Sequence, residues 1–468
     1  MEKTHHIAIF PSPGMGHLVP MAEFAKRLVK HHPISVTIFI PTTGTLPKPQ
    51  ISILESLPEN IHHSFLPSVN MDLLPEGSRP EFVISFIMQS NLSSLRDALI
   101  SLKSRTNLVA LVFDIFGHDS LEVAKELNLL NFLFFPSNAM VLSFTFMLQK
   151  LDEETSCEYK DLNDPVKVPG SVSFHGRDLI ATVQIRTDEV YKSYLLLSKR
   201  LNFLDGIIVN SFHELEEETF RVLGTRVAGQ SQTPIYPIGP LIQSSAPTIE
   251  LEPHDCIKWL DNQPDRSVVL VSFGSGGTLS VDQTHELALG LEMSGHRFLW
   301  IVRSPNNVSD ASYFDSSNKI NDPLGFLPKG FLSRTGKHGL VVPSWGPQIE
   351  ILSHKATGGF LTHCGWNSTL ESVVHGVPMI AWPLYAEQHM NAKMMSDALC
   401  LALRAESDEN GMVRKEVVKK VVNELMEERE GKKISQRVNE LKGAAIKALG
   451  NGGSSMESLS KFVQELKK

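Results

Sequence analysis

WGPQIEILSHKATGGFLTHCGWNSTLESVVHGVPMIAWPLYAEQ, residues 345–388, decides the reading of this chain. Two short apolar runs, Gly359 to Thr362 and Met379 to Ala381, bracket a segment in which His363, Cys364, Gly365, Trp366, Asn367 and Ser368 open a helix. Strand, helix and strand in that order are the unit of a parallel α/β sheet. The unpaired amide N–H groups and the dipole at such a helix start favour a diphosphate. Trp345 offers a flat face for a base, and Glu371, three residues after Ser368, is placed to accept from a pair of ribose hydroxyls. Glu387 and Gln388 close the stretch with donors and acceptors suited to sugar hydroxyls. Taken together, the groups suit every part of a nucleotide-sugar.

Outward from this stretch, the chain alternates short β-branched or aromatic runs with longer amphipathic segments. Ile7 to Phe10, Ile34 to Ile40, Leu108 to Phe113, Phe132 to Phe135 and Gly206 to Asn210 predict one parallel sheet. Ser267 to Phe273, Arg297 to Arg303, Leu340 to Val342 and the two runs above predict a second. The Pro-rich segment Thr233 to Pro240 is expected to end regular structure. The expected division is a first domain over 1–240, a linker over 241–253, a second domain over 254–453 and a final segment over 454–468. Two doubly wound α/β sheets of this kind would face across a cleft at the carboxyl ends of their strands, where ligands of such sheets usually sit. Ser304 to Asp322 is polar enough for a loop.

Composition supports two domains and narrows the function. With 468 residues, 42% of them apolar, the chain can fill two cores of roughly 200 residues each. A net charge of −8 with mixed signs argues against nucleic acid as a partner. Cys157, Cys256, Cys364 and Cys400 lie far apart, which suggests neither a disulfide framework nor a zinc knuckle and fits a cytoplasmic protein. The apolar run at Ile7 to Phe10 is too short for a signal peptide, and Leu129 to Leu148 is broken by Asn131, Pro136, Ser137 and Asn138, so no membrane span is expected.

The candidate base is His17. Pro13, Gly14, Met15 and Gly16 form a tight turn after the first strand, and His17 opens the next helix. A phenol has a pKa near ~10 and an imidazole one near ~6.5, so an oriented ring can take the proton as oxygen attacks carbon. Asp114 ends the Leu108 to Phe113 strand and is the expected partner that fixes the ring's tautomer, with Asp119 as its competitor. Gly14 and Gly16 resemble half of a dinucleotide fingerprint. The third glycine is missing, however, and the second strand runs into Pro41, Thr42 and Thr43 with no acid for a ribose hydroxyl, so a nicotinamide enzyme is disfavoured. In the second half, the Gly-rich loop Phe273 to Thr278 follows a strand, and Ser275 is the expected phosphate contact. His363 beside Cys364 lacks further ligands for a metal, and no Asp-x-Asp triplet occurs, so no metal is expected to be needed.

Residues 345–388, together with Pro13 to His17, resemble the signature regions of plant secondary-product UDP-glycosyltransferases. Within that family the chain is most similar to the phenolic O-glucosyltransferase group that includes hydroquinone (arbutin synthase-like) enzymes. The resemblance implies a GT-B fold, UDP-glucose as co-substrate with no further cofactor, a small aromatic acceptor and an inverting displacement to a β-glucoside. It also implies that segment 454–468 crosses back to the first domain, and a monomer is expected. For the donor it implies Gly16, Ser275, Trp345, Gly346, Gln348, His363 and Trp366, with Asn367, Ser368, Glu371, Trp382, Glu387 and Gln388. Gly346 stands where alanine is commoner, and Gln388 resembles glucose users. For the acceptor it implies Glu81, Ile84, Ile115 and Phe116, with Asn138, Thr145, Ile180 and Tyr313. Thr145 replaces an aromatic residue, and 177–186 lacks the group's Asp-Pro pair, so acceptor shape is expected to differ. Transfer to nitrogen, sulfur or carbon, and non-catalytic binding of a nucleotide-sugar, remain open alternatives.

Overall fold

A computed structural model describes residues 4–44, 47–75, 77–225, 233–243, 254–306 and 322–467. Most of the expected linker, most of the expected polar loop, and Tyr313 with it, lie outside the described residues. The chain forms two compact units: residues 1–177, 182–244 and 447–468 make one, and residues 178–181 with 245–446 make the other.

Seven strands build the sheet of the first unit: β1 (His5–Phe10), β2 (Ile34–Ile40), β3 (Ile61–Phe65), β4 (Asn107–Asp114), β5 (Leu130–Phe135) and, after a small antiparallel pair β6 (Val166–Lys167) and β7 (Ser173–Phe174), β8 (Gly206–Val209) and β9 (Ile235–Pro237). Their order is β3-β2-β1-β4-β5-β8-β9, all parallel. β1, β4 and β5 are central and almost wholly buried, which is why they read as continuous apolar runs. β9 corrects the expectation that regular structure ends at Thr233. It pairs with β8 at the sheet edge, where the missing N–H of Pro237 leaves no central ladder bond unmade. β3 was equally illegible, since four of its five residues are exposed. The last helix, Ser454–Glu465, packs into this unit's core: Phe462 meets Phe24, Phe132 and Tyr236 edge to face at 4.8–5.8 Å.

Six parallel strands form the sheet of the second unit: β10 (Val268–Ser272), β11 (Arg297–Val302), β12 (Gly339–Pro343), β13 (Thr357–Thr362), β14 (Met379–Ala381) and β15 (Ala402–Arg404). The order β12-β11-β10-β13-β14-β15 reverses direction beside β10, so the turns after β10 and β13 are neighbours at one edge. The turn after β10 carries Gly274, Gly276 and Gly277, and the turn after β13 carries Gly365. Among the described residues no helix is long and apolar enough to cross a membrane.

Candidate functional site

In the first unit, strand register assembles the candidate base. Phe10 of β1 pairs with Phe113 of β4, so the turn that leaves β1 and the last residue of β4 emerge side by side. Gly14 turns the chain at a φ of 111°, open to glycine and strained for other residues, and the helix Met15–His31 begins at once. His17 then sits in its first turn, with Nδ1 2.9 Å from Asp114 Oδ2, although the carboxylate lies off the ring's N–H axis. The Phe116 ring meets the imidazole edge to face at 5.5 Å, restricting it on a second side.

Asp114 is fully buried, and its charge is met by three further donors. The Ser12 N–H gives 2.8 Å to Oδ2, the Ser12 hydroxyl donates to Oδ1, and the Phe116 N–H gives 3.1 Å to Oδ1. A buried carboxylate persists as an anion only with such partners. Ser12 was not singled out from the sequence, and nothing there marks it, because its role depends on β1 lying next to β4. Asp119, the competitor, is engaged elsewhere by Arg200 and by Gln89 Nε2 at 3.0 Å. Burial alone would raise its carboxyl, yet the Arg200 hydrogen bond and charge hold it below the ordinary aspartate range.

The expected acceptor residues divide by what their polar atoms already do. Ile115 and Phe116 follow Asp114 directly in a 3-10 turn, while Glu81 and Ile84 share the helix Pro80–Ser90. Glu81 lies 3.6 Å from Arg79. Asn138 is fully buried and caps the helix Ala139–Glu154, its carbonyl oxygen accepting from the Val141 N–H at 2.8 Å. Thr145 is likewise buried, donating to the Val141 carbonyl and lying 2.7 Å from the Tyr194 hydroxyl. Both therefore hold the fold where they stand. Ile180 falls in the short segment that groups with the second unit.

In the second unit, β13 runs into His363, Cys364 and Gly365, and the helix Trp366–His375 follows. His363 lies in a slot between two glycines: a Cβ on Gly274 would stand 2.6 Å from its ring, and one on Gly365 2.5 Å from Nε2. Burial lowers its pKa to about 4, so the ring is neutral at physiological pH and offers one N–H donor. Gly274 has a φ of 71°, so Gly274→Ala combines backbone strain with a collision. It is expected to weaken UDP binding by at least about tenfold in a calorimetric titration, and wild-type affinity would show that the slot is not needed.

Gln348 ties the centre of the site together. Its carbonyl accepts from the Ser272 hydroxyl at 3.0 Å, and its NH2 donates to Ser368 Oγ at 2.9 Å and Glu371 Oε2 at 2.7 Å. Ser272 thereby orients the amide, a second role invisible in sequence. Burial pushes the Glu371 carboxyl up to about 7, with the Gln348 hydrogen bond opposing.

Trp345 is 60% exposed, so one large apolar ring is presented to solvent, its edge near His254 at 6.0 Å. Trp366 and Trp382 are core residues instead, the latter edge-on to Phe273 at 5.8 Å. Gly346 has its missing methyl replaced in space by the Ile301 Cδ1 atom, 2.5 Å from where a Cβ would be. Gln388 is buried, and its side-chain carbonyl accepts from the Leu384 and Tyr385 N–H groups. Glu387, its neighbour in the chain, is partly exposed; Ser275, in the Gly-rich loop, is exposed; Gly16 lies in the first unit, exposed at the start of its helix. Six non-glycine residues among those described have positive φ, and Ser344, Cys364 and Ala386 immediately precede Trp345, Gly365 and Glu387. Each such residue carries strain of about 1–3 kcal/mol; the other three, Asn128, Arg266 and Cys400, lie away from these loops.

The second unit combines an exposed indole, the start of the helix Trp366–His375 and an enclosed carboxylate, features suited to a nucleotide, and the first unit carries a histidine-carboxylate pair. Two α/β units with these features are the architecture of a group-transfer enzyme acting on a nucleotide-linked substrate, and similarity to known proteins gives the class. Residues 237–441 match the family described as UDP-glucoronosyl and UDP-glucosyl transferase. The hydroquinone glucosyltransferase of Rauvolfia serpentina is 49% identical, covering 99% of this chain and 98% of that protein. UDP-glycosyltransferase 72B1 of Arabidopsis thaliana is 48% identical over 98% of this chain and 95% of its own length. Among solved structures, UGT2 of Phytolacca americana, complexed with UDP-2fluoro-glucose and pterostilbene, superposes with a TM-score of 0.90 at 46% identity, covering 99% of this chain and 100% of that one. A Polygonum tinctorium UDP-glucosyltransferase capable of glucosylating indoxyl, in complex with 3,4-dichloroaniline, gives 0.91 at 46% identity over 100% of both chains. This chain belongs to the UDP-glucosyltransferase family, and its fold is GT-B.

Proposed function

We propose that the chain transfers glucose from UDP-glucose to the hydroxyl of a small phenolic acceptor, with inversion to a β-glucoside, and that His17 is the general base. The observation that carries this reading is the contact of the His17 imidazole with the buried, multiply hydrogen-bonded Asp114. With Nδ1 facing the carboxylate, the proton resides on Nδ1 and Nε2 keeps its lone pair. Nε2 takes the phenolic proton as the oxygen bonds to the anomeric carbon, and the bond from that carbon to the UDP oxygen breaks on the opposite face. Negative charge then grows on the diphosphate, where the His363 N–H and the start of the helix Trp366–His375 supply donors. This donor set, with no Asp-x-Asp triplet in the sequence, supports departure without a metal.

The phenolic acceptor class rests on the Rauvolfia relative named for hydroquinone and on the Phytolacca neighbour bound to pterostilbene. The Polygonum neighbour bound to 3,4-dichloroaniline favours a nitrogen nucleophile as the second reading. A panel of UDP-glucose, UDP-galactose and UDP-xylose against simple phenols, flavonols and anilines tests both. Product mass and the anomeric coupling constant are expected to show an O-linked β-glucoside from UDP-glucose. Retained anomeric configuration, or no UDP release with any acceptor, would overturn the proposal.

The donor half makes its own pH prediction. Ribose hydroxyls donate, so Glu371 must be ionised to accept from both, and its free-state value lies near 7. UDP affinity is therefore expected to fall as pH drops below about 7. Glu371→Gln should bind more weakly and flatten that dependence, and an unchanged pH profile in the variant would remove Glu371 from the ribose contact. The sign for stability is opposite. A carboxyl raised above its unfolded value stabilises the fold in acid and loses that contribution as pH rises through about 7, and bound nucleotide offsets the loss.

A further inference from the structure

Residues 178–181 leave the first half of the chain and group with the second unit, where they meet the loop that carries Glu387 and Gln388. The Ala181 N–H donates to the Ala386 carbonyl at 2.9 Å. Ala386 holds a left-handed φ of 52°, a conformation alanine rarely adopts, and it is the residue that turns the chain into Glu387 and Gln388. Leu179 and Ile180 are buried, so the donor is anchored and not a fluctuating loop end. At the head of the segment Asp178 lies near His389: burial lowers that imidazole's pKa, Asp178 opposes the shift and Arg404 adds to it. The short segment thus borders the sugar loop at two places, one on each side of Glu387 and Gln388.

We propose that the Ala181 N–H is a positioning group for the sugar subsite, setting how strictly the enzyme prefers glucose over its C4 epimer. The proposal rests on the reading of Glu387 and Gln388 as the sugar-binding pair. An orphaned backbone in a strained turn has several alternative conformations. A hydrogen bond to the Ala386 carbonyl selects one of them and with it the direction in which the following carboxylate and amide are presented. Within the loop, Gln388 Oε1 accepts from Leu384 and Tyr385, and the Gln388 N–H bonds the Tyr385 carbonyl. Those contacts hold the loop's own shape. Ala181 holds its turn from outside, so sugar preference becomes responsive to a segment remote in sequence from the box.

Ala181→Pro tests this cleanly. Residue 181 is the first of a 3-10 turn, Ala181–Val183, a position that tolerates proline, and proline removes the N–H. Ala181→Ser retains the donor as a control, and Ala386→Gly relaxes the turn from the other side. Affinities for UDP, UDP-glucose and UDP-galactose and the kcat/KM for both donors are measured in the full chain. UDP affinity should stay within about twofold in all three variants, because UDP lacks the hexose that Glu387 and Gln388 are read as holding. The preference for UDP-glucose over UDP-galactose should narrow about fivefold in Ala181→Pro and Ala386→Gly, chiefly through donor KM, and persist in Ala181→Ser, the scale of one lost hydrogen bond. Unchanged donor preference in both Ala181→Pro and Ala386→Gly overturns the proposal, as does a parallel loss of UDP and UDP-glucose affinity. A wild-type protein that binds UDP-glucose no better than UDP would instead remove the underlying reading of Glu387 and Gln388.

Discussion

His17→Ala is expected to lower kcat by about a thousandfold with phenolic acceptors while UDP affinity stays at the wild-type level. General-base assistance is worth roughly 10²–10⁴-fold, and a neutral phenol is a poor nucleophile without it. The residues proposed to hold UDP, Trp345, Gln348, Ser368 and Glu371, all lie in the second unit, so the substitution leaves their contacts untouched. The ring is mostly buried, its side chain being 18% accessible with Phe116 edge-on to it, so a thermal melt of the variant accompanies the kinetics to separate lost chemistry from lost packing. Turnover by UDP release and UDP binding by calorimetry give the two readouts. Activity within tenfold of wild type would show that another group takes the proton. A pre-ionised acceptor, such as a nitrophenol above its pKa, should recover much of the loss, because it needs no base.

Asp114→Ala should cost about a hundredfold in kcat, less than His17→Ala, because the imidazole remains but its tautomer is no longer selected. The structure adds a second consequence. The Ser12 N–H and Phe116 N–H would be left without their acceptor in a buried site, a destabilisation of roughly 1–3 kcal/mol per orphaned group. Asp114→Asn does not avoid this. An amide has only one acceptor oxygen, whereas Ser12 and Phe116 deliver donors to both Oδ1 and Oδ2, so one NH2 must face an N–H or hydroxyl. Thermal melts must therefore accompany the kinetics, measured well below the midpoint. A folded Asp114→Ala enzyme with wild-type kcat and pH dependence would dissolve the pair, whatever its melting temperature.

The core strands were legible because burial on both faces forces apolar runs: β1, β4, β5, β10 and β13 each read directly from composition. At the sheet edges the signal fades: β12 still shows the run Leu340 to Val342, but β3 and β9 carry none. β3 is exposed and β9 contains proline, and each exists because a neighbour supplies a ladder to join. The same divide runs through the site. His363, Ser368 and Glu371 are spaced along one strand, turn and helix, so local geometry places them. Trp366 and Trp382 look identical to Trp345 in sequence, yet only Trp345 is exposed.

By itself, then, the chain's order of residues determined what is local: two runs of parallel strands and helices, a helix start suited to phosphate, and a histidine in the first turn after β1. Only the tertiary structure decided what joins residues far apart, namely Asp114 with Ser12 and His17, Ser272 with Gln348, and Ala181 with Ala386. Periodicity and turn chemistry act over a few residues and are written into neighbours. A hydrogen bond between distant segments depends on which strands lie side by side and in what register, and the free energy that sets register comes from the whole core.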